Sequence, residues 1–157
     1  MTAATLDALN LLLDRATQER DRVAAELRRA EEMALRARRQ GEQLADYRGE
    51  YLQRWSKQFG RGGAIEIVHC YQSFMQRLDE AVAQQNLQIE HTARQEAQLR
   101  QALVAAELRA ASVRKLIERR QSEQQQAAER RDQRQTDETA QHLTQRRRRQ
   151  GMAAVQH

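Results

Sequence analysis

The sequence predicts an all-α fold, a long antiparallel two-helix coiled-coil hairpin with a C-terminal helical overhang. The prediction rests on the absence of proline, on a composition ruled by helix formers, and on two apolar heptad stripes separated by a glycine cluster. A chain of this length at average usage would hold about eight prolines, and this one holds none. Proline is concentrated in the turns between elements, so its absence means few turns and much helix. Aromatics make up 4% and charged residues 31%, which leaves little bulk for a globular core but enough for a thin seam between helices. All-β and α/β architectures fit such a composition poorly.

The first helix is predicted over residues 1–59. Leu9, Ala16, Val23, Ala30, Ala37, Leu44 and Tyr51 repeat at strict seven-residue spacing and all are apolar, the mark of a supercoiled seam. Its partner position is read as Leu12, Glu19, Glu26, Met33, Gln40, Tyr47 and Arg54, a mixed set, with Leu13, Leu27, Ala34 and Trp55 widening the stripe where that set is polar. Residues 60–63, Gly60-Arg61-Gly62-Gly63, are the predicted turn. Each Gly costs ~1 kcal/mol relative to Ala inside a helix, so one unbroken helix pairing in a parallel dimer is the weaker arrangement.

The second helix is predicted over 64–120. Val68, Met75, Val82, Ile89, Glu96, Leu103, Ala110 and Ile117 hold one position, and Tyr71, Leu78, Gln85, Thr92, Leu99, Ala106 and Val113 the other; twelve of these fifteen are apolar. If the chain reverses at the glycines, a helix starting near residue 4 meets a partner ending near residue 118, where this stripe fades. Arms of about 55 residues would each be on the order of 80 Å long at ~1.5 Å per residue. Residues 121–157 form a charged, Gln/Arg-rich overhang with almost no apolar face, helical where a partner supports it and expected to fray over 150–157.

The net charge is +5, and Lys57 and Lys115 are the only lysines among 27 basic residues. Residues 119–149 carry nine Arg against Glu123, Glu129, Asp132, Asp137 and Glu138, so +4 of the excess falls in this stretch, which joins the end of the second helix to the tail. The run Arg146 to Arg149 has no aromatic beside it to stack on bases; a solvated tail fits it best, an acidic protein surface next, and specific nucleic-acid binding least. Cys70 is the lone cysteine and reads as a buried, inert thiol in a reducing compartment. The start has no basic n-region, and Leu11-Leu12-Leu13 is too short for a signal or membrane segment. A cytoplasmic protein is expected. His69, His91, His142 and His157 fall at unrelated spacings, and the glycine cluster lacks the Gly-Lys-Ser/Thr ending of a phosphate loop. Neither catalysis nor a metal or cofactor is expected.

The aromatics are the informative group. Tyr47, Tyr51, Trp55, Phe59, Tyr71 and Phe74 are all six of them, confined to 28 residues around the predicted turn. Tyr47, Tyr51 and Tyr71 fall on the predicted seam and would fill it near the loop. Phe74 and Ala81 fall one step off it beside Leu78, as an apolar strip that the hairpin does not need, suited to anchor a partner.

The run Leu44-Ala45-Asp46-Tyr47-Arg48-Gly49-Glu50-Tyr51, the glycine break, and then Tyr71-Gln72-Ser73-Phe74-Met75-Gln76-Arg77-Leu78-Asp79-Glu80-Ala81 resemble the FliJ family of flagellar type III export proteins. Leu116-Ile117-Glu118-Arg119-Arg120 followed by Arg130-Arg131-Asp132-Gln133-Arg134-Gln135-Thr136-Asp137-Glu138 looks like the closing pattern of that family, so the likeness runs from residue 5 to about 142. The resemblance implies an antiparallel coiled coil that enters the hexameric export ATPase ring, contacts the cytoplasmic part of the export gate protein, and escorts emptied export chaperones, peripheral to the inner membrane through the export apparatus. It carries the gate-binding surface to Gln40, Leu44, Tyr47 and Tyr51 on the first helix and to Phe74, Leu78, Ala81 and Gln85 on the second. Gln85 departs from the pattern, since some relatives place His there, and no pH-sensitive role is carried over to it. The ATPase-facing part would include Glu118, Arg119, Arg120, Arg131 and Asp137. The stalk of a virulence injectisome, or a generic coiled-coil scaffold or nucleic-acid-binding coiled coil, are the alternative readings.

Overall fold

The computed structural model describes residues 3–59 and 63–155, the side chain of Phe59 excepted, and these are helical almost throughout: α1 is Ala3–Phe59 and α2 is Ile65–Val155. Gly60, Arg61 and Gly62 of the expected turn lie outside the described residues, while Gly63 and Ala64 are non-helical. The Ala64 carbonyl accepts from the N–H groups of Ile67 at 3.1 Å and Val68 at 3.2 Å, closing the first turn of α2. Glu66 in that turn, and Lys57 in the last turn of α1, carry the charges that complement the helix dipoles.

The chain forms two compact units, Ala16–Leu108 and the combination of Met1–Arg15 with Arg109–His157. In the first unit α1 and α2 run antiparallel. Arg48 pairs with Asp79 at 2.6 Å, the Gln85 amide donates to the Ala37 carbonyl at 2.8 Å, and Arg100 lies 3.9 Å from Glu31. As the α1 number falls from 48 through 37 to 31, the α2 number rises from 79 through 85 to 100. The ion pairs are half-exposed and worth at most ~1 kcal/mol each, so they mark the register more than they hold it.

The seam holds the helices. On α2 the inward residues are Tyr71, Met75, Leu78, Val82, Gln85, Ile89, Thr92, Glu96, Leu99, Leu103 and Ala106, all buried or half-buried, the predicted register. Val68, expected to open it, is exposed, as is every residue from Gly63 to Cys70, so pairing begins at Tyr71. On α1 the first stripe is inward as predicted from Ala16 to Tyr51, but its partner position lies one residue further along: Arg20, Leu27, Ala34, Gly41, Arg48 and Trp55 are buried or half-buried. Met33 and Tyr47, expected inside, are 51% and 49% exposed. The error has a physical cause. A seam alternates steps of three and four residues, so an apolar stripe is compatible with a partner on either side of it. The true position was disguised by arginines, which cover apolar surface with their methylenes while the guanidinium reaches water, and by a glycine with no side chain to count.

The middle of the α1 seam is small: Ala30, Ala34 and Ala37 are buried and Gly41 follows. A Cβ on Gly41 would come within 2.7 Å of the Ile89 Cδ1 atom, so Ile89 uses the space the glycine leaves. The polar α2 residues in this stretch are satisfied. Thr92 donates to the Gln88 or Ile89 carbonyl, each 3.0 Å away, and Glu96 accepts from Arg100 at 2.6 Å.

In the second unit Leu6, Leu9 and Leu13 are half-buried, Ala110 and Ile117 are buried, and Val113 and Arg120 are half-buried. Beyond Arg120 every described residue except Gln124 is exposed. The stretch expected to fray is helical through Val155, and Gln156 and His157 lie outside the described residues. No described helix is long and apolar enough to cross a membrane.

The glycines supply a paired test. Gly49 has nothing within 4 Å of where a Cβ would sit, so Gly49→Ala is expected to stabilise the protein by about 1 kcal/mol. Thermal denaturation should show a midpoint about 2–4 °C higher. Gly41→Leu, by overfilling the Ile89 contact, should lower it through a loss of about 1–3 kcal/mol. Equal midpoints for the two variants would refute this packing.

Candidate functional site

Five of the six aromatic residues, Tyr47, Tyr51, Trp55, Tyr71 and Phe74, form one cluster within the unit Ala16–Leu108. Tyr51 lies at its centre, 4.5 Å from Phe74, 5.9 Å from Tyr71, 6.3 Å from Tyr47 and 6.4 Å from Trp55, ring centre to ring centre. Trp55 meets Tyr71 edge-on at 4.2 Å, and Tyr47 meets Phe74 edge-on at 6.5 Å. Such pairs contribute about 0.5–1.5 kcal/mol each beyond area burial. The heptad explains why they meet: Tyr51 and Trp55 sit on the α1 seam, Tyr71 opens the α2 seam, and Tyr47 and Phe74 flank it on the same side.

Of the eight residues carried over as a gate-binding surface, four form that flank. Gln40 lies one heptad before Tyr47 on α1 and Ala81 one heptad after Phe74 on α2, so Gln40, Tyr47, Phe74 and Ala81 line one edge of the hairpin. Gln40 and Tyr47 are exposed, Phe74 and Ala81 half-buried. The other four lie beneath them in the seam: Leu44, Tyr51 and Gln85 are half-buried, and Leu78 is buried at 7% exposure. The Gln85 amide donates to the Ala37 carbonyl and lies 3.4 Å from Gln40 Oε1, linking the seam to the flank. The expectation of a free apolar strip at Phe74, Leu78 and Ala81 is therefore corrected. Leu78 is core, and Phe74 is half-buried with its ring against the seam residue Tyr51 and, across the hairpin, the flanking residue Tyr47. Tyr47, expected in the seam, is the most open of the five described aromatic side chains.

Sequence reasoning missed that this flank continues. Met33, two heptads before Tyr47, lines a groove of about 530 Å³ with Glu26, Arg29, Gln95, Gln98, Leu99 and Ala102. The signal was the four-residue step from Leu9 to Leu13, repeated from Val23 to Leu27 and from Ala30 to Ala34, which places Met33 outside. Trp55, read as widening the apolar stripe, is a half-buried residue of the seam itself.

The five residues assigned to the ATPase-facing part lie in the other unit and do not converge. Glu118, Arg119, Arg131 and Asp137 are exposed, and Arg120 is half-buried with its guanidinium 3.6 Å from Glu123. They span about five turns of α2 at 3.6 residues per turn, pointing to several sides of it. Cys70 is exposed rather than buried, because it precedes the start of pairing. Among the described residues no group of three His, Cys, Asp or Glu side chains could hold a metal ion.

The fold and this edge define a class: a two-helix coiled-coil hairpin whose recognisable surface is a strip of side chains rather than a cleft. The family described as Flagellar FliJ protein matches residues 5–149, and the chain belongs to it. Membership implies a stalk role in flagellar export, within the export apparatus, for a structural component rather than an enzyme. No curated protein and no solved structure matches the chain.

Truncation separates core from surface here. Leu78→Ala is expected to cost about 2–5 kcal/mol and to lower the thermal midpoint measured by circular dichroism, whereas Tyr47→Ala should shift it far less; the reverse order would refute the register. The Cys70 thiol is expected to label with a maleimide in the native protein nearly as fast as in denaturant, and strong native protection would contradict its exposure.

Proposed function

We propose that the protein is a non-enzymatic stalk of the flagellar type III export apparatus. It inserts in the export ATPase ring, contacts the export gate protein with the edge formed by Gln40, Tyr47, Phe74 and Ala81, and escorts export chaperones. Family membership supports the setting. The single observation that supports a docking role for the edge is Tyr47, an aromatic half open to solvent beside Phe74 and Gln40. Partly exposed aromatics on a rigid backbone lose little side-chain entropy on binding and are frequent anchors of interfaces.

The seam residues of the same set act differently. Leu44, Tyr51, Leu78 and Gln85 fix the relative height of the two helices, and through it the spacing of Tyr47 and Phe74. A gate-binding defect from Leu78→Ala would then report loss of the platform rather than of a contact. Glu118, Arg119, Arg120, Arg131 and Asp137 are proposed to face the ATPase ring as dispersed charges, which suits a ring that surrounds a helix better than a flat partner.

Co-purification with the candidate ATPase and gate proteins tests the reading. The wild-type chain is expected to retain both, and Tyr47→Ala with Gln40→Ala to lose at least tenfold in gate binding, since one hot-spot side chain is worth ~2 kcal/mol, at unchanged helicity and unchanged ATPase retention. Retention of neither partner at micromolar concentration would contradict the stalk. Retention of injectisome components instead would assign the chain to that machine.

A further inference from the structure

The last turns of α2 segregate charge more sharply than any other part of the chain. Glu138 is the final acidic residue in the sequence, and after it come Arg146, Arg147, Arg148 and Arg149. None of the described residues from 139 to 155 is even half-buried, and Met152 and Val155 are 73% and 86% exposed. Elsewhere arginines are interleaved with carboxylates at helical spacing, as Arg22 is with Glu19 and Glu26 or Arg94 with Glu90. The run 146–149 has no carboxylate within two turns on either side.

Helical spacing sorts these side chains. Met152 lies four residues after Arg148 and three after Arg149, and Val155 three after Met152, so all four share one side of α2. Arg146 and Arg147 lie on the opposite half of the helix, more than 90° from the centre of that side, and reach toward it only along their long methylene stems. Two apolar side chains between guanidinium groups, with no aromatic in the last half of the sequence, do not suit base stacking. They suit the boundary of a bilayer, where methylenes and apolar side chains enter the headgroup layer and the guanidinium groups spread to the phosphates.

We propose that residues 146–155 bind the surface of an anionic lipid bilayer, with Arg146 to Arg149 on lipid phosphates and Met152 and Val155 dipping between the headgroups. The attachment rests on this charge and exposure pattern alone and not on the stalk reading. It is peripheral and reversible: a basic side chain near an anionic surface raises partitioning about fivefold, so four of them supply several-hundredfold. The attraction fades over a Debye length, about 8 Å at physiological salt.

Flotation of the full-length protein with vesicles is the test, comparing phosphatidylcholine alone with phosphatidylcholine holding about 30 mol% phosphatidylglycerol. Binding is expected only to the anionic vesicles, weakening steeply as salt rises. The variant carrying Arg146→Gln, Arg147→Gln, Arg148→Gln and Arg149→Gln should bind several-hundredfold more weakly at unchanged helicity. Met152→Ser with Val155→Ser should lose about tenfold or more while keeping the salt dependence. No flotation with anionic vesicles at ~0.1 M salt, or equal flotation with neutral ones, overturns the proposal. Flotation that survives the four-Gln substitution overturns it as well. Retention on DNA, abolished by the same four substitutions, without any vesicle binding would reassign the run to nucleic acid.

Discussion

The alternation of three- and four-residue steps along two antiparallel helices is the constraint on which the unit Ala16–Leu108 depends. With so few bulky side chains, no three-dimensional core exists to fall back on, and each helix is stable in water because one stripe of it is covered by the other. The packing is uneven along that stripe. At the aromatic end Tyr51, Trp55, Tyr71 and Phe74 supply most of the volume. Toward the middle the α1 side shrinks to Ala30, Ala34, Ala37 and Gly41, and Ile89 fills the groove so created. Small against large keeps the helices close and makes the register costly to shift, because a one-heptad slip would set Ile89 against Ala34 or Arg48 instead of Gly41.

From that register follows the surface. Residues one step off the seam are half-covered by design of the heptad, and on one edge they are Met33, Gln40 and Tyr47 from α1 with Phe74 and Ala81 from α2. A two-helix hairpin has no cleft in which to build a pocket, so whatever it recognises must be met by such an edge. The aromatic cluster therefore serves both purposes: Tyr51, Trp55 and Tyr71 lock the pairing, and Tyr47 with Phe74 carries the same cluster outward to where another protein can reach it.

Much of this was legible in the sequence. The helix content, the hairpin, the α2 register and the confinement of the aromatics follow from missing proline, glycine position and seven-residue spacing. What was not legible lay in three side chains with ambiguous accounts. Arg20 and Arg48 read as polar but cover the seam with their stems, and Gly41 reads as a blank but is a contact. Those residues concealed the second α1 stripe and sent Tyr47 and Met33 inward. Leu78 falls on the seam by its spacing and in the gate-binding set by resemblance, and the structure buries it in the seam. Cys70 was assigned to a core that begins one residue later. The site residues came from a resemblance; the eight carried over as a gate-binding surface divide into a flank and the seam beneath it, while the five assigned to the ATPase-facing part are dispersed along α2.

The central claim is that the helices pair within one chain in this register. Both Arg29 and Gln98 line the groove beside Met33. Spin labels at these positions, in a Cys70→Ser background diluted with unlabelled protein, measure the pairing directly. The hairpin predicts a short intramolecular distance, the ~10 Å interaxial spacing of packed helices lengthened only by the label arms. A single continuous helix would hold the same two positions about 100 Å apart at ~1.5 Å per residue, and loss of the short distance on dilution would contradict the account.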